Sequence, residues 1–271
     1  MTEFEPMTGA IHLPGADGSK PLAGWRVLVP RGGPGGDSVA ASLRARGASP
    51  IIAPMINFAP TDDQPALEAA LSKLASGGFD WVTVTSATTV DVLSSYGAVI
   101  PDSTKVAAVG ETTAAALVAA GYRADIVPSE ENSARGLLEE WEAATDGAKP
   151  LRVLALRSAI AKQVLSIGLE RIGHHVEAVV AYRTVGVPVA QKVVDDVRAG
   201  KVDAILVTSG SVAEQVHAQL GPVPERTLVA AIGPQTQRDA AKIGLRVDVV
   251  AVDRTAESLI DAVVQAATQT V

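Results

Sequence analysis

Short apolar runs alternate with helical stretches along most of the chain. Val27–Val29 is an apolar run followed by a glycine-rich loop, and Asp37 is the predicted N-cap of a helix that ends at Gly47. A second apolar run, Ile51–Ala53, comes directly afterwards. This β-α-β order predicts a parallel sheet covered by helices.

The same pattern returns about 120 residues later. Four pairs of segments match: 27–31 with 153–157 at an offset of 126, 80–86 with 203–209 and 107–110 with 230–233 at 123, and 133–138 with 255–260 at 122. Because the offset stays nearly constant from the first pair to the last, the sequence indicates a duplicated half.

The duplication predicts an α/β fold of two similar lobes, each a parallel sheet flanked by helices. Residues 57–60 and 183–188 are extended, end in proline and follow the second strand of each half. If the chain changes lobes at both places, two crossing strands join the lobes and one lobe is discontinuous. Two consecutive lobes are the alternative. Residues 1–24, rich in glycine, proline and polar groups, are predicted to form a flexible tail.

Composition narrows the class of protein. Hydrophobic residues make up 47% of the 271 residues and aromatic residues only 3%, so the core is built mainly from aliphatic side chains. The net charge of −7 argues against nucleic acid as a partner. The lack of cysteine excludes disulfides and thiolate nucleophiles. No signal peptide and no long apolar run is visible, so we expect a soluble cytoplasmic protein without a membrane segment.

Polar groups follow most of the predicted strands. Ligands of open parallel sheets bind beyond the carboxyl ends of the strands, where helix N-termini favour carboxylates or phosphates. A serine or threonine at such a place is, taken singly, more often a helix cap, but here matching edges recur in both halves. The candidate binding residues are Arg31, Thr85, Ser86, Gly110, Thr112, Thr113, Arg157, Ser158, Thr208, Ser209, Gly210, Gly233, Pro234 and Thr236.

Several familiar kinds of site are excluded. The segment RGGPGG at 31–36 matches neither a P-loop nor a dinucleotide-binding motif, and G-x-S-x-G is absent. His174 and His175 are adjacent on a predicted strand, so they point to opposite faces and cannot chelate a metal together. Tyr182 stands at the end of that strand, where packing and a role in a cleft are both open to it.

The ordered set of motifs resembles the uroporphyrinogen-III synthases. In chain order the motifs are VLVPR, VTVTSATTV, VAAVGETTAAAL, VLALRS, AVVAYRT, AILVTSGSV and VAAIGPQTQRDA, which together span about residues 25–271. The resemblance implies a monomer of two α/β lobes joined by a two-stranded connector. Residues 25–56 plus 186–271 would form one lobe, and residues 57–185 the other.

The resemblance also implies an activity. Such enzymes close hydroxymethylbilane, a linear tetrapyrrole with eight carboxylates, to uroporphyrinogen III in heme biosynthesis, with loss of water and inversion of the last pyrrole ring. They use no cofactor and no metal, which suits catalysis by positioning. Tyr182 matches the tyrosine of the family's Y-x-T pattern and is expected to assist loss of the substrate hydroxyl. The threonines Thr85, Thr112, Thr113, Thr208 and Thr236 are expected to bind carboxylates.

Two questions stay open at this point. Arg31 and Arg157 either supply charge for the anionic substrate or sit in surface ion pairs. A net charge of −7 repels such a substrate at long range, so either the cleft is locally positive or association is slow. The alternative function is a non-catalytic two-lobed sensor of tetrapyrroles or small anions, although no helix-turn-helix segment for a regulator is visible.

Overall fold

Ten strands and ten helices make up the part of the chain that the computed structural model describes, residues 20–129 and 131–269. Their bounds are β1 (Arg26–Val29), α1 (Gly33–Ala45), β2 (Ser49–Ile52), β3 (Ile56–Pro60), α2 (Gln64–Ala75), β4 (Trp81–Val84), α3 (Ala87–Ser95), β5 (Lys105–Ala108), α4 (Glu111–Ala119), α5 (Ala134–Ala144), β6 (Arg152–Ser158), α6 (Val164–Arg171), β7 (His175–Gly186), α7 (Gln191–Arg198), β8 (Ala204–Val207), α8 (Gly210–Leu220), β9 (Leu228–Ala231), α9 (Pro234–Lys242), β10 (Val249–Val250) and α10 (Ala256–Gln269). None of these helices is both long enough and apolar enough to cross a bilayer.

The described residues divide into two compact units. The first unit contains the residues up to Asn57 together with those from Gly186 onward, and the second contains Phe58–Val185. The sheet of the first unit has the strand order β10-β9-β8-β1-β2, and its pairings are parallel. The other sheet has the order β3-β7-β6-β4-β5, with parallel pairing from β7 through to β5. The predicted α/β class with parallel sheets flanked by helices is confirmed.

The internal repeat is visible in the strand orders. β9, β8, β1 and β2 of the first unit occupy the places of β5, β4, β6 and β7 in the other sheet. The short strand β10 corresponds to a single parallel bridge between Ala107 and Ile126. Each unit therefore combines strands from both halves of the duplicated sequence.

Both faces of the first sheet are covered, as the apolar strands require. Leu28 and Ile205 point to one face, where they pack against residues of α7, α8 and α9. Val27 and Val29 point to the opposite face and pack against α1 and α10. The alternation along β1 thus decides which helices each side chain meets.

The second sheet is covered in the same way. Val82 and Leu154 pack in a cluster with residues of α2, α3 and α4. On the opposite face, Trp81 and Val153 pack against α5 and α6 around Trp141, which is fully buried. The ring centroids of Trp81 and Trp141 lie 5.2 Å apart.

Some local predictions were wrong. Asp37 does not cap α1, because the glycine-rich segment itself forms the first turn and Gly32 is the N-cap. The packed chain also begins before residue 25: Leu22 is fully buried, and its amide donates to the carbonyl of Arg46 at 2.9 Å. Residues 1–19 of the predicted tail lie outside the described residues. His174 lies just before β7 rather than within it.

Candidate functional site

The strand orders place one switch point in each sheet. In the first sheet β1 and β8 are neighbours, and the chain continues from β1 to β2 on one side and from β8 to β9 on the other. In the second sheet β6 and β4 have the corresponding relation. The carboxyl ends of strands at such a point leave a crevice, which is the usual ligand site of open α/β sheets.

At the second switch point Tyr182 combines packing with a polar contact. Its side chain is 7% exposed, and its ring meets that of Phe58 edge-to-face at 5.3 Å between centroids. Its hydroxyl lies 3.1 Å from Oγ of Ser86, the residue that follows β4 by two positions. Ser86 also caps α3 by accepting the amide hydrogen of Thr89 at 3.2 Å. The phenol is therefore held at the carboxyl edge of the sheet by a helix cap.

The end of β6 brings two more predicted residues to this edge. Ser158 is paired in register with Tyr182 and is largely buried. Arg157 forms no ion pair among the described residues; its Nη1 donates to the carbonyl of Ser158 at 3.2 Å. The Nε of Arg157 is enclosed and meets no acceptor in the described part of the chain.

At the first switch point the structure has a cavity of about 310 Å³. Its apolar surface comes from strand ends and helices, with Val29, Leu206 and Leu259 among the buried side chains. Its polar lining includes two residues predicted from the sequence, Arg31 and Thr208. The full lining is Val29, Pro30, Arg31, Gly35, Ser38, Val39, Leu206, Thr208, Ile232, Arg254, Ala256 and Leu259.

Arg254 was missed by sequence reasoning. It lies in the loop between β10 and α10, and its Cγ passes 3.3 Å from the position of a Cβ added to Gly233. The repeat contained a signal for it, because the match of 133–138 with 255–260 places Arg254 opposite Asn132. Asn132 borders Gly110 in the same manner, with its Cβ 3.6 Å from an added Cβ.

The remaining predicted residues open helices at the carboxyl edges. Gly110 precedes α4 at a φ of 88°, a left-handed conformation that favours glycine. Ser209 caps α8, whose first residue is Gly210, by accepting the amide hydrogen of Val212 at 3.2 Å. Gly233 is the N-cap of α9, and Pro234 is its first residue, as predicted.

The predicted threonines differ in accessibility. Thr113 and Thr236 are only 4% and 7% exposed, so little of either side chain is open to a ligand in this conformation. Thr112 is exposed, whereas Thr85 and Thr208 are half-buried at the ends of β4 and β8. The described residues include no group of three or more histidines and carboxylates arranged to hold a metal ion.

Comparison with known proteins identifies the family. The model of the family described as Uroporphyrinogen-III synthase HemD matches residues 37–261. The chain belongs to this family. A porphyrin biosynthesis protein HemD of Ruminiclostridium josui is 30% identical over 89% of this chain and 48% of its own length. A uroporphyrinogen-III synthase of Synechococcus elongatus is 28% identical over 93% of this chain and 98% of its own length.

A solved structure supports the fold of this uroporphyrinogen-III synthase family member. A mutant uroporphyrinogen III synthase of Thermus thermophilus superposes with a TM-score of 0.60 at 18% identity, covering 91% of this chain and 100% of that one. At this identity the likeness concerns the fold alone. The chain spans about half the length of two of the curated relatives that it matches, 48% and 58%.

Proposed function

We propose that this chain is a uroporphyrinogen-III synthase, which closes hydroxymethylbilane to uroporphyrinogen III with inversion of the last pyrrole ring and loss of water. The observation that carries the proposal is the hydroxyl of Tyr182, held 3.1 Å from Ser86 at the carboxyl edge of a sheet. The family match over residues 37–261 supplies the chemical context for that hydroxyl.

The reaction demands little beyond one proton and a fixed geometry. The hydroxyl of the substrate leaves as water once it is protonated, and the phenol of Tyr182 is suited to donate that proton. The C–O bond then breaks, and the electron-rich pyrroles stabilise the cation that remains. The enzyme must also hold the four linked rings in a conformation in which closure with inversion of the last ring is faster than closure without inversion.

The strand ends are suited to the substrate's carboxylates. Helices α3, α4, α8 and α9 begin at these strand ends. Hydroxyl and backbone amide groups at helix N-termini donate hydrogen bonds that carboxylates can accept. Of the predicted threonines, Thr85, Thr112 and Thr208 have side chains accessible enough for such contacts. Thr236 would contribute the backbone amide of a first helical turn, whereas the amide of Thr113 already donates to the carbonyl of Gly110 at 3.1 Å.

The two units are proposed to be the two lobes of this enzyme. Residues 25–56 plus 186–271 would form the first lobe and residues 57–185 the second, joined by β3 and β7. By analogy with the uroporphyrinogen-III synthases, the enzyme would act in the cytoplasm as a monomer without a cofactor. The compact units divide at Asn57 and Gly186, which is compatible with this assignment.

The decisive test is the isomer that the protein produces. Hydroxymethylbilane is generated enzymatically, the protein is added, and the porphyrin isomers are separated after oxidation. We expect predominantly the III isomer, in an amount that depends on the protein. Formation of only the I isomer at the spontaneous rate would exclude the activity, and a tetrapyrrole sensor would then be the function to test.

A further inference from the structure

The cavity of the first unit has a charge pattern unlike the rest of this acidic protein. Two arginines, Arg31 and Arg254, line it, and no acidic side chain of the described residues does. Neither guanidinium makes a hydrogen bond or an ion pair with any residue in the described ranges. In a chain of net charge −7, two uncompensated cations at one opening form a local site for anions.

The acidic residues of the neighbouring helix are engaged elsewhere. Glu257 and Asp261 of α10 both accept from Arg46, which lies at the far end of α1. Arg254 precedes the same helix but faces the cavity instead. The ion pairs of Arg46 therefore leave the charge of Arg254 available to a ligand.

The side chains of both arginines pack against the first turns of helices. A Cβ added to Gly35 in the first turn of α1 would lie 3.1 Å from Nε of Arg31, so that guanidinium rests against the turn. The stem of Arg254 crosses the start of α9 at Gly233 in a similar way. Packing of this kind limits the rotamers of each side chain and lowers the entropy lost on binding.

The cavity is apolar beneath the two cations. Val29, Leu206 and Leu259 are at most 2% exposed and line it together with Ile232. Its volume of about 310 Å³ lies at the lower limit of ligand pockets, which begin at about 300 Å³. The space suits one small ring with acidic substituents and is too small for four linked rings.

The equivalent switch point of the second unit lacks this pair of arginines. Arg157 stands in the position of Arg31, but its Nη1 donates to the carbonyl of Ser158. Asn132 stands in the position of Arg254 and carries no charge. Of the two switch points, only the first therefore has two arginines whose guanidinium groups pair with no described residue.

We propose that this cavity binds one pyrrole ring of the tetrapyrrole, with Arg31 and Arg254 pairing with the two carboxylates that the ring carries. The inference rests on the proposed function, because eight carboxylates on four rings give two per ring. Ile232 and Ala256, the apolar side chains of the lining that are not buried, contact the ring itself. The arginines are positioning residues, because they fix one end of a flexible substrate without touching the bond that breaks.

The test measures binding and turnover separately. Anaerobic calorimetry gives the Kd of uroporphyrinogen III for the wild-type protein and for Arg31→Ala, Arg254→Ala, Arg254→Lys and Arg44→Ala. Arg44 is the matched control, because it is an exposed arginine of α1 outside the cavity and its loss changes the net charge equally. KM and kcat for hydroxymethylbilane are measured on the same variants, with thermal unfolding as a check of folding.

We expect Arg31→Ala and Arg254→Ala each to raise the Kd about tenfold, the loss of one charged hydrogen bond. In these two variants KM should rise with the Kd, while kcat changes little. Arg254→Lys should recover part of the lost affinity, and Arg44→Ala should have the Kd, KM and kcat of the wild type. Unchanged binding in the two alanine variants, an equal loss in Arg44→Ala, or no binding by the wild type would overturn the inference.

The isomer assay distinguishes this inference from the function on which it rests. If the wild type makes the III isomer but the cavity variants bind and turn over normally, the cavity assignment fails and the activity stands. If only the I isomer forms while binding still depends on both arginines, the synthase activity fails and the cavity remains a tetrapyrrole-binding site.

Discussion

The ring and the hydroxyl of Tyr182 belong to different environments. The ring packs in the core of the second unit, whereas the hydroxyl contacts Ser86 at the sheet edge. Sequence reasoning left packing and a role in the cleft both open for this residue. The structure shows that packing positions the hydroxyl, so the two roles are compatible.

We predict that Tyr182→Phe lowers kcat about 100-fold, because the phenol no longer donates a proton to the leaving hydroxyl. KM should change little, and the free energy of unfolding should fall by about 1 kcal/mol for the lost hydrogen bond. Steady-state kinetics and urea denaturation measure these quantities. Tyr122→Phe is the matched control, since the Tyr122 hydroxyl also donates a hydrogen bond, to the carbonyl of Ala98 at 3.0 Å. A kcat of Tyr182→Phe equal to that of the control would contradict the role.

Arg31 and Arg254 show what can be predicted about single residues. Arg31 follows β1 by two positions, so its place at the carboxyl edge could be predicted from the order of elements. Arg254 follows the two-residue strand β10, too short to give a sequence pattern, and its loop reaches the cavity only through tertiary packing. Accessibility was equally unpredictable, because Thr112 and Thr113 are neighbours with opposite exposure.

At the scale of elements, alternation and turn residues predicted the order of strands and helices better than their boundaries: the second strand was predicted at Ile51–Ala53 and lies at Ser49–Ile52. The failure at Asp37 has a clear cause: glycines and a proline were interpreted as a loop, although proline is favourable in a first helical turn. Strand β7 was also longer than its apolar run. It continues through Tyr182 to Gly186, and in the sheet it lies between β3 and β6.

His174 connects three elements of the second unit. Nε1 of Trp141 in α5 lies 2.9 Å from Nε2 of His174, and the amide nitrogen of Leu151, just before β6, lies 3.2 Å from Nδ1; both neighbours are hydrogen-bond donors. Burial lowers the pKa of His174 below its ordinary value of 6.5, and the charge of Lys149 lowers it further. A neutral imidazole can accept only one of these two hydrogen bonds, because its other nitrogen carries the proton, and a doubly protonated ring can accept neither.

This environment predicts an acid-dependent loss of stability. Because the pKa of His174 is lower in the folded state, the unfolded chain binds more protons near pH 6 and folding weakens as the pH falls. The free energy of unfolding should therefore decrease from about pH 7 to about pH 5, across the ordinary histidine pKa. His174→Gln should show a flatter dependence in urea titrations, and the exposed neighbour variant His175→Gln should follow the wild type. Equal slopes for all three proteins would show that His174 is not the group responsible.

At the scale of the whole molecule, the repeat and the compact units do not coincide. The duplicated halves predicted two similar lobes, but the same offset is compatible with consecutive or discontinuous lobes. In the structure β1, α1 and β2 of the first half join strands β8, β9 and β10 of the second half. The sequence could not decide this, because strands equivalent in the repeat can complete either sheet.

A core substitution tests the discontinuous arrangement in solution. Leu28 of β1 is fully buried among residues 194–245, so Leu28→Ala should cost about 3 kcal/mol through the cavity it leaves. Amide hydrogen exchange followed by mass spectrometry should then become faster in β8 and β9, far along the chain, while β4 and β6 stay protected. Leu154→Ala in β6, also fully buried, should give the reverse pattern. If Leu28→Ala instead accelerates exchange only in segments near it in sequence, such as β3 and α2, then residues 25–56 and 186–271 do not form one cooperative lobe.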